Sequence, residues 1–194
     1  MSHTPLVVVV AGPNGAGKST TAPRLLRDAL EVKEFVNADA IALGLSAFQP
    51  EEVAIAAGRV MLARIKELAR ERADFAFETT LASRTFAPWL SRLRASDYQA
   101  HIVFLSLPSA DLAVARVRER VKMGGHDVPE IVVRRRFLGG LKNFFDLYRG
   151  AVDSWQVYDN SAVTGPRLIA AGEASEPVRI LDEPAWTNLE DKLR

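Results

Sequence analysis

The stretch VVVVAGPNGAGKSTTAPRLL, residues 7–26, contains three local patterns in succession, and together they decide the fold. A short uncharged run rich in valine, residues 6–11, is typical of a strand buried on both faces of a parallel sheet. A glycine-rich segment follows, and from about Lys18 onward apolar residues recur at helical spacing. The sequence therefore predicts a strand, a glycine loop and a helix in direct succession.

The glycine-rich segment fits the pattern G-x-x-x-x-G-K-[ST], with Gly12, Gly17, Lys18 and Ser19 at the fixed positions. Glycines allow positive φ angles and bring backbone N–H groups close to an anion, and the following helix points its positive end at the same place. The pattern predicts a phosphate cradle in which Lys18 reaches the β- and γ-phosphates and the Ser19 hydroxyl ligates Mg²⁺. The alternative is a glycine-rich loop of an unrelated fold that meets the pattern by chance. The residues predicted to bind ATP or GTP form one run: Gly12, Pro13, Asn14, Gly15, Ala16, Gly17, Lys18, Ser19 and Thr20.

Length and composition restrict the class of protein. The chain has 194 residues, a formal net charge of +1 and no cysteine. We expect one domain over residues 1–194, no nucleic-acid partner and neither a disulfide scaffold nor thiolate-bound zinc. No run has the length of a membrane span, and the N-terminal segment lacks the basic region of a signal peptide. The prediction is a cytoplasmic protein without a membrane partner.

Beyond the loop, short apolar strand patterns alternate with helical patterns of ten or more residues. Such alternation predicts a parallel sheet with right-handed crossovers. We therefore expect an α/β fold of the P-loop NTPase and nucleotide-kinase type, with three layers, a central mainly parallel sheet, a helical lid and a C-terminal hairpin followed by a short tail. The further predicted strands are EFVNAD, DFAFETT, HIVFLSLP and WQVYDNS, and the hairpin lies within residues 166–186.

Two helical patterns carry more specific expectations. Residues 128–152 contain the pair Gly139 and Gly140, which predicts a kink, and His126 in the preceding glycine turn is expected to be a loop or hinge residue. The helix predicted within residues 50–73 has one apolar face, and its expected members are Val53, Ala57, Val60, Met61, Ile65 and Leu68.

Polar residues follow two of the predicted strands. Asp39 comes after FVNA, and Glu78 and Thr79 come after DFAF. Ligands of parallel sheets bind at the carboxyl ends of the strands, and phosphoryl transfer to an alcohol needs a base that orients and deprotonates the acceptor. We expect Asp39 to be that base, and Glu78 and Thr79 to contact the acceptor, or Glu78 to support Mg²⁺ through water. The alternatives are that Asp39 or the threonines cap helices and that Glu78 pairs with a surface arginine.

Arginines cluster in the second half of the chain. Arg116 and Arg120 lie four residues apart, and the run 134–136 follows the GGH break. Arginines on both sides of a glycine hinge predict a lid, about residues 116–150, that closes on a triphosphate and stabilises its charge. The alternative is a solvated basic helix face, which is favoured for Arg118 and Arg136 taken individually.

The ordered set GPNGAGKSTTA, FVNADAIA, FETTLAS, GGHDVP and RRR, within about residues 6–161, resembles the zeta toxin family of P-loop kinases, in particular its short chromosomal members. The resemblance implies that ATP (or GTP) with Mg²⁺ phosphorylates a sugar hydroxyl, in the best-known members that of UDP-N-acetylglucosamine, and that an antitoxin protein is a possible partner. It implies these roles: phosphate and metal contacts for Lys18 and Ser19, the catalytic base for Asp39, substrate contacts for Glu78 and Thr79, and the two lid arginines for Arg120 and Arg134.

The sequence lacks the motifs of two other classes of nucleotide-binding protein. A GTPase would carry D-x-x-G and N-K-x-D, and neither occurs in the chain. An ABC-type ATPase would have a strand that ends in aspartate, whereas HIVFLSLP ends in serine and proline. A non-catalytic module that holds a nucleotide and engages a partner protein stays open. Asp39 and the arginine pair argue against it, because holding a nucleotide needs no base.

Overall fold

The computed structural model describes residues 3–26, 30–50, 52–125, 127–173 and 179–193. Within these ranges the chain forms a seven-stranded sheet with the order β2-β3-β1-β4-β5-β6-β7. The strands are Leu6–Ala11 (β1), Glu34–Val36 (β2), Phe75–Thr79 (β3), Gln99–Ser106 (β4), Ser154–Asp159 (β5), Arg167–Glu173 (β6) and Arg179–Ile180 (β7).

The first strand lies in the interior of the sheet, as its composition predicts. It pairs in parallel with β3 on one side and β4 on the other, and Val7, Val8 and Val9 are fully buried. β2 and β5 extend the parallel part, while β6 and β7 complete the sheet in antiparallel pairings. The α/β class, the mainly parallel sheet and the C-terminal hairpin are thus confirmed.

Helices cover both faces of the sheet and give it three layers. One apolar cluster joins β1 to α1 and α5, and the other joins the opposite face to α3, α4 and α8. α6 contributes to both clusters, with Phe137 in one and Leu141 in the other. Among the described residues, no helix is both long enough and apolar enough to cross a bilayer. The helices are Lys18–Arg24 (α1), Ala38–Leu45 (α2), Ala54–Arg70 (α3), Phe86–Arg94 (α4), Ala110–Lys122 (α5), Glu130–Asn143 (α6), Arg149–Ala151 (α7) and Glu183–Asp191 (α8).

Three local expectations were wrong. The strand expected to reach Asp39 ends at Val36, because Asn37 caps a further helix, α2, with its side chain. Val60 is 46% exposed, since it lies about 100° of helix rotation away from Met61 on the buried face. The expected C-terminal tail is α8, which buries Trp186 against the ring of Trp155.

The glycine pair does not end the helix: α6 runs continuously from Glu130 to Asn143, and the kink expected at the pair stays a prediction. Gly140 instead lets α6 approach the turn after β3: a Cβ at this position would stand 2.1 Å from the carbonyl oxygen of Thr80. Asn143 donates a 2.8 Å hydrogen bond to the Leu81 carbonyl. Tyr148, in the π-helical turn Phe144–Tyr148, donates to the Ser83 carbonyl, and its burial raises the pKa of its phenol to about 12. These contacts fasten α6 to the turn that follows Glu78 and Thr79.

The two glycines of α6 provide a matched pair of variants. Gly140→Ala should lower the free energy of unfolding by about 1–3 kcal/mol, because the new methyl group meets a backbone carbonyl that cannot easily move. Gly139→Ala has open space around its Cβ and should be neutral or stabilising by up to ~1 kcal/mol. Urea denaturation of both variants checks this, and equal stability of the two would contradict the close packing of α6.

Candidate functional site

The glycine loop between β1 and α1 is held against the ends of two neighbouring strands. Gly12 has a φ of 139°, and a Cβ there would stand 2.2 Å from the Leu105 carbonyl oxygen of β4. Gly17 has a φ of 77°, and a Cβ there would stand 2.7 Å from Nδ2 of Asn160, just after β5. Both positions therefore require glycine, by conformation and by space. The loop encloses the N-terminus of α1, the geometry expected of a phosphate cradle.

Asn160 ties this loop to the end of β5. Its buried side chain donates a 2.8 Å hydrogen bond to the Ala16 carbonyl, and its backbone N–H bonds to Ser106 at the end of β4. Arg116 donates to the carbonyls of Asn160 and Ser161 at 2.7 and 2.6 Å. The guanidinium of Arg116, expected in the lid cluster, therefore supports the segment behind the loop.

Lys18 is buried at the base of the loop. Its ammonium donates a 3.0 Å hydrogen bond to the Pro13 carbonyl and lies 3.5 Å from Oε1 of Glu78. Burial lowers the pKa of Lys18 below its usual range, Glu78 and Asp39 oppose that shift, and Arg120 adds to it. The lysine charge is thus set among two carboxylates and one guanidinium, all near the loop.

Glu78, at the end of β3, is the carboxylate that contacts the loop directly. It is 11% exposed, and its Oε2 accepts hydrogen bonds from Oγ of Ser19 at 2.8 Å and Nδ2 of Asn37 at 2.7 Å. A hydroxyl beside a carboxylate is the hard oxygen donor set that Mg²⁺ prefers, so Ser19 and Glu78 fit this ion. The alternative expectation, that Glu78 pairs with a surface arginine, was wrong. Glu78 reaches the loop because β3, which carries it, pairs directly with β1.

Asp39 lies in the first turn of α2, exposed to solvent near the same edge. Its charge acts on Lys18 and on Arg136, which places it near the loop and near α6. It is not a helix cap, because Asn37 has that role. Thr79 uses Oγ1 to accept a 3.1 Å bond from the Leu81 N–H and so closes the turn after β3. It is not the cap of α4, which begins only at Phe86.

The arginines of α6 are arranged differently from the sequence expectation. The guanidinium of Arg134 pairs with Asp111 at 2.7 Å and with Glu130 at 2.8 Å, on the outer surface of α5 and α6. Arg136, expected to be solvated, is half-buried, and its Nη1 lies 3.5 Å from Oδ1 of Asn14 in the loop. Residues two apart on a helix are rotated by about 200°, so the two cannot face the same side. The spacing Glu130 to Arg134 was a signal for the surface pair, since residues four apart are neighbours on a helix.

The structure thus brings together most of the predicted site. Lys18, Ser19, Asp39 and Glu78 meet at the carboxyl edge of the sheet, with Thr79 in the adjoining turn. Arg120 lies near enough to lower the pKa of Lys18, whereas Arg134 points elsewhere. Sequence reasoning missed Asn37, Asn160 and the inward position of Arg136. His126, expected to be a loop or hinge residue, lies outside the described residues.

These features define a P-loop nucleotide-binding domain of the α/β class. Residues 7–139 match the family model described as AAA domain, and the chain belongs to that family. A relative from Haemophilus influenzae, named only as an uncharacterized protein, is 25% identical over 130 residues, which are 67% of this chain and 91% of the relative.

Three solved structures share the fold. A chain of the AvrRxo1-ORF1:-ORF2 complex with ATP aligns with a TM-score of 0.72 and 15% identity over 96% of this chain, which spans 63% of that chain's length. A chain of the PezAT chromosomal toxin-antitoxin system of Streptococcus pneumoniae gives a TM-score of 0.64 at 12% identity, with 99% and 87% covered. A gluconokinase from Sinorhizobium meliloti gives 0.51 at 16% identity, with 98% and 94% covered. The fold is that of the P-loop kinases.

The bond from Asn160 to the loop generates a prediction for nucleotide affinity. Asn160→Ala should weaken the binding of a fluorescent ATP analogue about five-fold, the equivalent of ~1 kcal/mol for one hydrogen bond that orders the loop. The matched control is Ser161→Ala, because the Ser161 side chain makes no hydrogen bond within the described part of the chain. Unchanged affinity in Asn160→Ala would mean that the residue supports the fold alone.

Proposed function

We propose that this protein is a small-molecule kinase that transfers the γ-phosphoryl group of ATP, or GTP, to an alcohol, with a sugar hydroxyl as the first candidate. The observation that carries the proposal is a second carboxylate beside the cradle. Glu78 is engaged by Ser19, Asn37 and Lys18, whereas Asp39 stays exposed to solvent within electrostatic reach of Lys18 and Arg136. Holding a nucleotide requires the first carboxylate only, and a base for an acceptor is the use that remains for the second.

The residues would divide the chemistry as follows. Asp39 accepts the proton of the acceptor hydroxyl, the hydroxyl oxygen bonds to the γ-phosphorus, and the bond from that phosphorus to the β–γ bridging oxygen breaks to release the nucleoside diphosphate. Lys18 offsets charge on the β- and γ-phosphates, and Arg120 and Arg136 offset charge on the moving phosphoryl group. Ser19 and Glu78 would hold Mg²⁺, whose charge offsets that of the phosphates.

The acceptor and the partner are finer parts of the proposal. Resemblance to the zeta toxin family in the NAD and ETT motifs supports UDP-N-acetylglucosamine as the acceptor and an antitoxin protein as a partner. Likeness to a chain of a toxin-antitoxin system is consistent with that resemblance, and likeness to a gluconokinase supports a sugar-type alcohol more generally. Under the same proposal residues 1–194 form one kinase domain, with a lid over about residues 116–150.

The decisive experiment is a search for the phosphorylated product. The protein is incubated with ATP, Mg²⁺ and a panel of nucleotide sugars, amino sugars, simple sugars and nucleosides, and each reaction is examined by mass spectrometry for the gain of one phosphate. Asp39→Asn should lower turnover by roughly 10²-fold or more, the scale of general-base catalysis, and leave ATP affinity unchanged. Lys18→Ala is the inactive control.

Each result of that search has a meaning. Product from a smaller alcohol but not from the UDP-amino sugar would keep the mechanism and discard the preferred acceptor. No product from any acceptor, with intact ATP binding, would favour a nucleotide-binding partner module. Weaker ATP binding in Asp39→Asn, with unchanged turnover, would assign Asp39 to the nucleotide and not to the acceptor.

Arg134 and Arg136, two of the three arginines of α6, separate the structural assignment from the one expected from the sequence. Arg136→Ala should lower turnover by roughly 10²-fold or more, because a guanidinium near the loop and Asp39 would offset transition-state charge. Arg134→Ala removes exposed surface ion pairs, so it should change turnover less than about three-fold and leave the stability near that of wild type. The opposite order of effects in steady-state kinetics would restore Arg134 as the lid arginine.

A further inference from the structure

We infer that Asn37 is a positioning residue whose single side chain orients both carboxylates of the site. Its amide nitrogen donates to Glu78, and its amide oxygen caps α2 by accepting from the backbone N–H of Asp39. The inference rests on the proposed function for the work that the two carboxylates do. It adds a residue for which neither the P-loop motif nor the resemblance provided a role.

The position of Asn37 follows from the sheet. Val36, the last residue of β2, pairs with Phe77 of β3, so the residues that follow in each strand, Asn37 and Glu78, lie side by side at the carboxyl edge. Nδ2 of Asn37 is 2.7 Å from Oε2 of Glu78, the oxygen that also accepts from Ser19. The Glu78 carboxylate is therefore fixed from two sides.

The other end of the same amide organises α2. Oδ1 of Asn37 accepts from the backbone N–H of Asp39 at 2.7 Å and of Ala40 at 3.2 Å. These are two of the N–H groups that the first turn of a helix cannot satisfy internally. The hydrogen bond from the Asp39 N–H to Oδ1 of Asn37 therefore fixes the position of Asp39 in the first turn of α2.

The chemistry of the side chain explains why asparagine stands here. An amide presents a donor and an acceptor on one planar group and carries no charge. Aspartate would also cap α2, but it would place a second negative charge where the amide nitrogen now lies, 2.7 Å from Oε2 of Glu78. Serine would cap α2 equally well but is too short to reach the carboxylate as well. Asn37→Ser therefore removes the hydrogen bond to Glu78 and keeps the cap of α2.

The experiment compares Asn37→Ser with Asn37→Ala and wild type in two measurements that need no acceptor. The first is the Mg²⁺ concentration that half-maximally raises the affinity for a fluorescent ATP analogue, and the second is Tm without metal. Asn37→Ser should need roughly 10-fold more Mg²⁺, the usual scale for residues that orient a metal ligand, with Tm near wild type. Asn37→Ala should show the same Mg²⁺ shift and a lower Tm.

A double variant tests whether Asn37 acts through Glu78. In a Glu78→Gln background, adding Asn37→Ser should change the Mg²⁺ requirement less than two-fold. A full 10-fold change in that background, or a wild-type Mg²⁺ requirement in Asn37→Ser, would overturn the inference and leave Asn37 as a helix cap alone. Affinity for the analogue in EDTA should change less than about two-fold in every Asn37 variant, since Asn37 touches the cradle itself only through a long, 3.4 Å contact with Oγ of Ser19.

Turnover separates this inference from the proposed function. If an acceptor is phosphorylated, Asn37→Ala at saturating Mg²⁺ should lower kcat further than Asn37→Ser does, because only the alanine variant also loses the cap that holds Asp39. A kcat in Asn37→Ala equal to that in Asn37→Ser would contradict the link to Asp39. If wild type phosphorylates nothing, the proposed function fails, and the Mg²⁺ shift still decides whether Asn37 orients Glu78.

Discussion

The site depends on how closely the glycine loop lies against the strands beside it. At Gly12 the backbone of the loop is so near β4 that a Cβ would stand 2.2 Å from the Leu105 carbonyl, and at Gly17 the loop touches Asn160. That approach is possible only because β1 lies inside the sheet, with β3 on one side and β4 on the other. The strands beside β1 therefore have two roles: they hold the loop in place, and β3 also brings the Glu78 carboxylate to it.

Charge is arranged around this loop before any ligand is considered. Lys18 is buried, which costs free energy unless its ammonium is compensated, and the Pro13 carbonyl and Glu78 provide that compensation. These two partners make the buried lysine compatible with a stable fold. A negatively charged ligand bound in the loop would compensate the same ammonium. Asn37 and Ser19 keep the Glu78 carboxylate in a defined orientation. The polar groups thus form one connected network at the sheet edge, of the kind in which removal of one member affects the others.

The opposite wall of the site is set by α6. Gly140 and Asn143 fasten this helix to the turn after β3, and Arg136 lies about one turn before Gly140, near Asn14 of the loop. The helix that carries the arginine is therefore attached to the segment that carries Glu78. The position of Arg136 relative to Glu78 therefore depends on the close packing of α6 against this turn. Such packing varies less than contacts between flexible side chains.

The sequence by itself determined the features that local patterns encode. The loop motif and the alternation of strands and helices follow from spacing within a few residues, and the fold agrees with both. Asp39 and Glu78 reach the expected edge of the sheet, Asp39 from the first turn of α2 and Glu78 from within β3. Tertiary structure alone decided which groups meet. Arg134 and Arg136 are the same residue type in the same run of the sequence, and the packing of α6 decided that Arg136 faces the loop. Asn37 meets Glu78, 41 residues away, because β2 and β3 pair. Such contacts depend on strand order and helix rotation, which no local pattern specifies.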